Sequence, residues 1–371
     1  MRQESEKNWT LGGEEIPPHW AMDLQRGATV WGFLGTFCAL AGLCALNACG
    51  PLGGIENSDQ QGTGGEGAVA GSAGSGASAG ATALPAPPAF KVVGYQPSWA
   101  NSTATLQFDK LNYINYAFAI ENADGSVSLP QPTRPLLDLV TRGHASGVRV
   151  LLSVGGWNDG NDSAFNALSA NPDARAKFAT TVDGFVDQFQ LDGIDIDWEF
   201  PEGDVAASFT ALMRDVSAKL KPKGKLLTIA AAADGDGTNG VTADALQYID
   251  LVNIMAYDGG QGSGHSPFSL AQSSLMLWLS KGVPAAKCIV GVPFYSRPGY
   301  IPFSTLVTMS PNAANQDQLD TQYYNGIPTV QAKTALAMTS GGGIMAWDLS
   351  QDARDPQVSL LSAIYAKSHA Q

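Results

Sequence analysis

The sequence predicts an α/β fold, a TIM (β/α)8 barrel, over residues 90–371. Short apolar runs alternate there with amphipathic, helix-like stretches, and this alternation is typical of strands that are each followed by a helix. The length of the region suits a single barrel domain. Aromatic and acidic residues follow strand after strand, as expected where the C-terminal ends of barrel strands form a site. An open, doubly wound sheet shares the alternation, so the strand-end residues are what favour the barrel.

Eight apolar runs are predicted as strands, at residues 91–95, 113–119, 149–154, 193–199, 226–232, 251–257, 288–294 and 343–347. Amphipathic stretches predict helices at residues 172–189, 205–220 and 270–281, with another near 329–338. Only about fifty residues lie between Arg297 and Trp347, which is too few for an additional domain in that connection. We therefore predict a barrel without an α+β insertion between strands 7 and 8.

Acidic and large apolar residues alternate along the fourth predicted strand. The acids are Asp195, Asp197 and Glu199, and the residues between them are Ile194, Ile196 and Trp198. Because successive side chains of a strand point to opposite faces, three carboxyls share one face and the apolar face must be buried. Crowded carboxyls in a poorly solvated place repel one another, which raises some of their pKa values and favours shared protons. A structural ion site is the alternative, but such crowding more often serves chemistry.

These acids also carry a family resemblance. The run Asp192-x-x-Asp195-x-Asp197-x-Glu199 resembles the DxxDxDxE signature of family 18 glycoside hydrolases, the chitinases and related endo-N-acetylglucosaminidases. Further segments are similar to family strands: residues 115–119 to the second, 153–156 to the SxGG of the third, 255–258 to the MxYD of the sixth, and 343–347 to the eighth. The resemblance covers essentially all of residues 90–371.

The resemblance implies a retaining, substrate-assisted hydrolysis, in which the acetamido oxygen of the sugar itself attacks the anomeric carbon. Glu199 matches the acid/base, and crowding by other acids should keep it protonated near neutral pH. Asp197 matches the residue that orients the acetamido group, and Asp195 would share a proton with Asp197. Tyr257 matches the phenol that hydrogen-bonds the acetamido oxygen.

The other strand-end residues are expected to bind the substrate. Trp347 would form the floor under the sugar at the cleaved bond, because a broad aromatic face stacks on a pyranose ring. Asp258 would help to hold the distorted sugar. Further candidates are Tyr95, Trp99, Trp157, Met255, Tyr295 and Arg297. Core or loop packing is an equal alternative for Tyr95, Trp99 and Trp157, and Arg297 could pair with an acid instead.

Three polar residues near these motifs are expected to have other roles. Asp192 should support the start of its strand. His265 lies in a Gly/Ser loop and is expected to be solvated, and His144 is expected to cap a helix.

The lack of an inserted domain predicts an open cleft and endo-cleavage of accessible chains. The expected partner is therefore an N-acetylglucosamine polymer, most simply chitin. Bacterial peptidoglycan and N-glycan cores fit the same mechanism. A non-catalytic chitin-binding lectin is a further alternative, but lectins of this kind typically lose the acid that corresponds to Glu199.

Composition limits the other classes of function. The net charge is −13 and the pI is about 4.6, whereas nucleic-acid binding would need a basic surface. Three of the four cysteines, Cys38, Cys44 and Cys49, lie in one apolar stretch, which leaves Cys288 alone in the barrel region. No disulfide framework, metal site or cofactor is therefore expected. We expect a monomer.

The N-terminal region predicts export from a bacterial cell. Residues 28–48 carry no charge, and their length suits either a secretory segment or a single membrane-spanning helix. The sequence that ends at Cys49 resembles a lipobox, which implies lipidation of Cys49 and a lipid-anchored or secreted protein. Residues 1–49 are thus predicted as a signal or lipoprotein segment, whose true start is expected at Met22. Residues 50–89, rich in Gly, Ala, Ser and Pro, are predicted to be a disordered linker that spans roughly 35 Å.

Overall fold

The computed structural model describes residues 10–11, 14–15, 89–100 and 103–370. The predicted lipidation of Cys49, the start at Met22 and nearly all of the linker lie outside these residues. Within the N-terminal unit, Thr10–Leu11 pairs antiparallel with Glu14–Glu15. None of the helices that the structure describes is both long and apolar enough to span a bilayer.

Eight parallel strands form a closed barrel. They are β1 (Lys91–Pro97), β2 (Tyr113–Glu121), β3 (Arg149–Gly155), β4 (Gly193–Asp197), β5 (Leu226–Ala232), β6 (Leu251–Met255), β7 (Cys288–Pro293) and β8 (Gly343–Trp347). Each strand pairs with the next along the chain, and β8 pairs with β1 to close the sheet. The predicted TIM barrel is confirmed, and a doubly wound open sheet is excluded by the pairing of β8 with β1.

Helices cover the outside of the barrel. They are α1 (Arg134–Ala145), α2 (Ser163–Ala170), α3 (Pro172–Phe189), α4 (Ala206–Leu220), α5 (Ala243–Leu246), α6 (Phe268–Ser280), α7 (Phe303–Met309), α8 (Ile327–Ser340) and α9 (Leu360–Ser368). The predicted helix at 172–189 coincides with α3, whose bounds follow from local chemistry. The side chain of Asn171 accepts hydrogen bonds from the backbone N–H groups of Asp173 and Ala174, and Gln190 ends the helix in a left-handed conformation.

The fourth strand separates two layers of packing, as its alternating pattern predicts. Asp195 and Asp197 point into the barrel, while Ile194 and Ile196 belong to the apolar layer between barrel and helices. Trp198 follows them outward and stacks on Phe165 of α2, with ring centroids 5.0 Å apart and ring planes 6° from parallel. The acids are therefore held from behind by a close-packed aromatic contact. The strand itself ends at Asp197 rather than at Glu199.

The connection from β7 to β8 contains no inserted domain, and all its residues are described. It holds α7, α8 and a short antiparallel pair, Gln318–Leu319 with Gln322–Tyr323. Tyr323 also exchanges two backbone hydrogen bonds of 2.8 Å with Arg297. The short hairpin is thereby joined directly to the segment that leaves β7.

The turn after β3 needs two glycines. Gly155 and Gly156 adopt φ angles of +113° and +100°, which side chains strongly disfavour. A Cβ atom on Gly155 would also lie 2.2 Å from the carbonyl oxygen of Asp197, and that same oxygen accepts a 2.8 Å hydrogen bond from the N–H of Gly156. This turn is therefore packed against the end of the strand that carries the acids.

We predict opposite effects for alanine at two glycines. Gly155→Ala should lower the free energy of unfolding by about 2–3 kcal/mol, because it adds both backbone strain and a steric clash. Gly184→Ala is the control, since a Cβ atom there meets nothing within 4 Å on α3. It should raise the free energy of unfolding by up to about 1 kcal/mol. Denaturant unfolding measures both values, and equal effects would contradict the packing of the turn.

Candidate active site

Asp195 lies at the centre of the barrel, in register with its partners. The parallel pairing places Ser153 of β3 and Thr228 of β5 beside it. The hydroxyl of Ser153 donates to Asp195 Oδ2 at 2.7 Å, and that of Thr228 donates to Oδ1 at 2.5 Å. The hydroxyl of Tyr95 and the amide of Asn253 donate at 2.8 Å and 3.3 Å. Four donors thus surround a side chain that is 0 % exposed.

These donors determine which charge state Asp195 favours. Burial raises the pKa of Asp195, and the four hydrogen bonds oppose that rise. Because each oxygen already accepts two hydrogen bonds, the ionised form fits this place best. We expected Asp195 to share a proton with Asp197. Both oxygens of Asp195 are instead occupied by these four hydrogen bonds.

Asp197 is instead hydrogen-bonded to Glu199. Burial and then the charges of Glu199 and Asp195 raise the pKa of Asp197 well above its usual value. Burial, followed by the charges of Asp162 and Asp258, raises the pKa of Glu199 to about 8. The other oxygen of Asp197, Oδ1, is buried and has no partner among the described residues. The pair therefore holds a proton at neutral pH and leaves one acceptor open.

Tyr257 supplies a hydrogen-bond donor next to this pair. It follows β6, is half-buried, and its hydroxyl donates to no other described residue. Burial and the charges of Asp197 and Glu199 raise the pKa of Tyr257 well above its usual value. The phenol therefore keeps its proton and is free to donate it in a hydrogen bond to a bound molecule.

Asp258 is held by three side chains. His265 Nδ1 lies 2.8 Å from Oδ1, Arg297 Nε lies 3.3 Å from the same oxygen, and the hydroxyl of Tyr295 donates to Oδ2 at 2.8 Å. Burial would raise the pKa of Asp258, but the His265 hydrogen bond and the Arg297 charge outweigh it and lower the pKa. The expectation of a solvated His265 is wrong, because this ring is 1 % exposed. The structure also gives Arg297 an acid as its partner.

Aromatic rings extend outward from the acids. Trp347 stacks on Phe118 with centroids 5.6 Å apart, and Phe118 lies 6.1 Å from Trp99. Trp99 and Trp157 are 47 % and 53 % exposed, so both can contact a bound chain. Tyr95, in contrast, lies inside the barrel with its hydroxyl on Asp195. Of the two alternatives for this residue, the structure therefore agrees with core packing and not with a flanking subsite.

Two predicted residues have supporting places. Asp192 accepts from the N–H of Val150 and lies 2.8 Å from His144 Nε2, so it ties the start of β4 to β3 and α1. His144 lies in the last turn of α1 and binds this acid.

Met255 is half-buried and packs inside the barrel. Among the described residues, no cluster of His, Cys, Asp or Glu side chains is arranged to hold a metal ion.

Several residues that act on the acids were not predicted from the sequence. Thr228 and Asn253 are polar residues at inward positions of otherwise apolar strands, and that alternation was a usable signal. Asp162 and Glu121 gave no such signal, because no motif near them in the sequence relates them to Glu199 or Asp197. The carboxylate of Asp162 accepts from the N–H of Phe200 at 3.0 Å.

Comparison with known proteins agrees with this geometry. The profile described as "Glycosyl hydrolases family 18" matches residues 91–352. The chain is 33% identical over 181 residues to chitotriosidase-1 of Mus musculus, which is 40% of this chain and 39% of that protein. It is 26% identical over 301 residues to chitinase A1 of Niallia circulans, with 56% and 43% covered. The match therefore spans less than half the length of either relative.

A solved structure gives the same result over most of its length. The family 18 chitinase from the chitin utilization locus of Flavobacterium johnsoniae is 28% identical, with a TM-score of 0.66, and the match covers 75% of this chain and 93% of that chain. Since the family profile matches well over half of the sequence, the chain belongs to glycosyl hydrolases family 18.

Proposed function

We propose that the chain is an endo-acting, retaining glycoside hydrolase that cleaves β-1,4-linked N-acetylglucosamine polymers by a substrate-assisted mechanism. One observation carries this proposal. The hydrogen-bonded carboxyls of Asp197 and Glu199, whose pKa values burial raises, lie beside the phenol of Tyr257. A general acid, an acceptor for the acetamido N–H and a donor for the acetamido oxygen are the three groups that this chemistry needs.

In the first step, the acid Glu199 donates its proton to the glycosidic oxygen as the C–O bond breaks. The acetamido oxygen of the same sugar attacks the anomeric carbon and forms a cyclic oxazolinium ion. Tyr257 donates a hydrogen bond to that oxygen and aligns it for attack. Asp197 accepts the acetamido N–H and, as a carboxylate, stabilises the positive charge that develops.

In the second step, Glu199 acts as a base. It removes a proton from water, whose oxygen attacks the anomeric carbon from the face that the leaving group vacated. The oxazolinium ring opens and the acetamido group is restored. Two inversions at the same carbon give net retention, so the product is the β anomer.

Chitin-like chains are the substrate that the site favours. Two of the proteins described above are named as chitinases, and the rings of Trp347, Phe118 and Trp99 offer flat apolar faces suited to pyranose rings. The short connection between β7 and β8 builds no additional wall. An open cleft of this kind accepts a chain at internal bonds, which supports endo-cleavage.

Two other functions use the same scaffold. An endo-β-N-acetylglucosaminidase for peptidoglycan or N-glycans would need the same acids, so the choice depends on the cleft beyond Trp347. A chitin-binding lectin would need neither the acid nor its partners. The presence of Glu199, Asp197 and Tyr257 together favours the enzyme over the lectin.

We also propose that the enzyme is exported from a bacterial cell and acts as a monomer, at a membrane surface or after secretion. The uncharged stretch 28–48 and the lipobox-like sequence that ends at Cys49 support a lipid anchor. The Gly/Ala/Ser-rich stretch that follows would hold the barrel clear of the membrane.

Removing the acid should separate binding from turnover. We expect Glu199→Gln to keep oligosaccharide binding and to lower kcat about a thousandfold or more, because the amide cannot protonate the leaving group. Glu202→Gln, at an exposed glutamate three residues further on, is the control and should keep the parental kcat. Calorimetry measures binding and a reducing-end assay measures kcat. Equal turnover by Glu199→Gln and the parent would remove Glu199 from its role.

The alkaline limb of the pH profile should depend on Asp162. Because Glu199 must be protonated, activity should fall as the pH rises through about 8. The charge of Asp162 helps to raise the pKa of Glu199, so Asp162→Asn should move this limb to lower pH while keeping an acceptor for the N–H of Phe200. Asp159→Asn, at an exposed aspartate of the same loop, should leave the limb in place. If the alkaline limb of Asp162→Asn lies at the same pH as in the parent, or at a higher pH, the assigned effect of Asp162 on Glu199 is contradicted.

The substrate and the stereochemistry can be tested together. Chitin oligomers, peptidoglycan and a high-mannose glycoprotein should be digested side by side and followed by NMR. We expect internal cleavage of the chitin oligomers, with the β anomer as the first product. Immediate appearance of the α anomer would exclude attack by the acetamido group. Preferential digestion of one of the other two polymers would change the substrate class and leave the mechanism intact.

A further inference from the structure

A lysine of helix α8 is completely buried. Lys333 is 0 % exposed, and burial lowers its pKa to about 7. Burying an ammonium group is costly unless each of its hydrogens finds an acceptor. The mechanism proposed above makes no use of this group. Its position must therefore be understood from the atoms that it contacts.

All three hydrogens of the ammonium group have acceptors. Nζ of Lys333 lies 2.7 Å from the backbone oxygen of Ser266, 2.7 Å from its Oγ and 2.7 Å from Oδ1 of Asn325. Nδ2 of Asn325 donates to the same backbone oxygen of Ser266 at 2.8 Å. Two buried side chains thus converge on one residue, Ser266.

Ser266 closes the base of the loop that follows β6. Its hydroxyl donates to the backbone oxygen of Ala256 at 2.8 Å, on the peptide group that joins Ala256 to Tyr257. Higher in the loop, the N–H of Gly259 donates to the backbone oxygen of His265 at 3.1 Å. The ring of His265 in turn contacts Asp258. Both site residues of the loop are therefore fixed through residues 265 and 266.

We propose that Lys333 is a positioning residue, which holds Ser266 so that the peptide of Tyr257 and the carboxylate of Asp258 keep their places beside Glu199. Lys333 does not touch the substrate. It acts through a chain of contacts from Lys333 to Ser266, and from there to Ala256 on one side and to His265 on the other.

Simple packing does not account for a lysine here. A methionine has nearly the same length and would fill the same space without the cost of a buried charge. What methionine cannot do is donate to three oxygens at once. Two of these oxygens belong to the residue that closes the loop, so what the lysine adds is the geometry of that loop.

A double-mutant cycle tests this proposal. Lys333→Met should lower kcat on chitin oligomers about tenfold with little change in KM, because a small displacement of Tyr257 misaligns the acetamido group. In a Tyr257→Phe background, Lys333→Met should lower kcat by a smaller factor, about threefold or less, because the Tyr257 hydroxyl is already absent and only the effect through Asp258 remains. A residue with only a structural role would lower kcat by the same factor in both backgrounds.

Two further variants keep the test decisive. Arg175→Met removes another half-buried cation, which donates to the backbone oxygen of Ser169 at 2.6 Å and to Asp215 at 3.0 Å, away from the loop. It should lower Tm but leave kcat within about twofold of the parent. If Lys333→Met does not fold, Ser266→Ala replaces it. This variant removes the hydroxyl that donates to Ala256 and accepts from Lys333, while the backbone oxygen of Ser266 still binds Lys333. It should lower kcat about threefold, again less so in the Tyr257→Phe background.

Because the inference rests on the proposed role of Tyr257, the two can fail separately. Parental kcat in Tyr257→Phe would overturn both the role of Tyr257 and the inference. A slow Tyr257→Phe enzyme in which the second substitution has its full effect would overturn the inference alone. An unchanged kcat in folded Lys333→Met would also overturn the inference alone.

Discussion

A carboxylate without access to water lies at the centre of this barrel, and the rest of the site depends on it. Four donors from four different strands point at Asp195 and oppose the rise in its pKa that burial causes. Those donors fix the register of the strands around it. Burial, and then the charges of Glu199 and Asp195, raise the pKa of the neighbouring Asp197. Asp197 is hydrogen-bonded to Glu199, and the raised pKa values of the two carboxyls favour a proton on the pair at neutral pH.

The properties of Glu199 come from several parts of the chain. Burial has the largest effect on its pKa, and the charges of Asp162 and Asp258 add to it. One of these residues follows β3 and the other follows β6, and each is held by its own hydrogen bonds. On the opposite face of β4, the stacked rings of Trp198 and Phe165 hold the strand end in place. The barrel thus keeps the acid rigid, while the loops set its proton affinity.

Much of this arrangement was predictable from the sequence, because strand alternation translates directly into geometry. The alternation of acids with Ile194, Ile196 and Trp198 predicted both faces of β4 correctly, and the short connection after β7 predicted an uninserted barrel. Side-chain pairing across distant segments was not predictable. His265 looked like a loop histidine because its sequence neighbours are small and polar, yet the fold buries it against Asp258. Tyr95 looked like a sugar-binding aromatic because it ends a strand, but its position in the register turns it towards Asp195. Lys333 gave no signal, since a lysine in an amphipathic helix is normally solvated.

The small hairpin at residues 318–323 has a consequence for redesign of the cleft. Tyr323 is joined by two backbone hydrogen bonds to Arg297, and the side chain of Arg297 holds Asp258. A module inserted into this hairpin to bind longer polymers would therefore displace Arg297 and, with it, Asp258. Because the charge of Asp258 raises the pKa of Glu199, the insertion would change that pKa. The loop after β3, which carries Trp157, has the same constraint, because the charge of Asp162 in that loop also raises the pKa of Glu199.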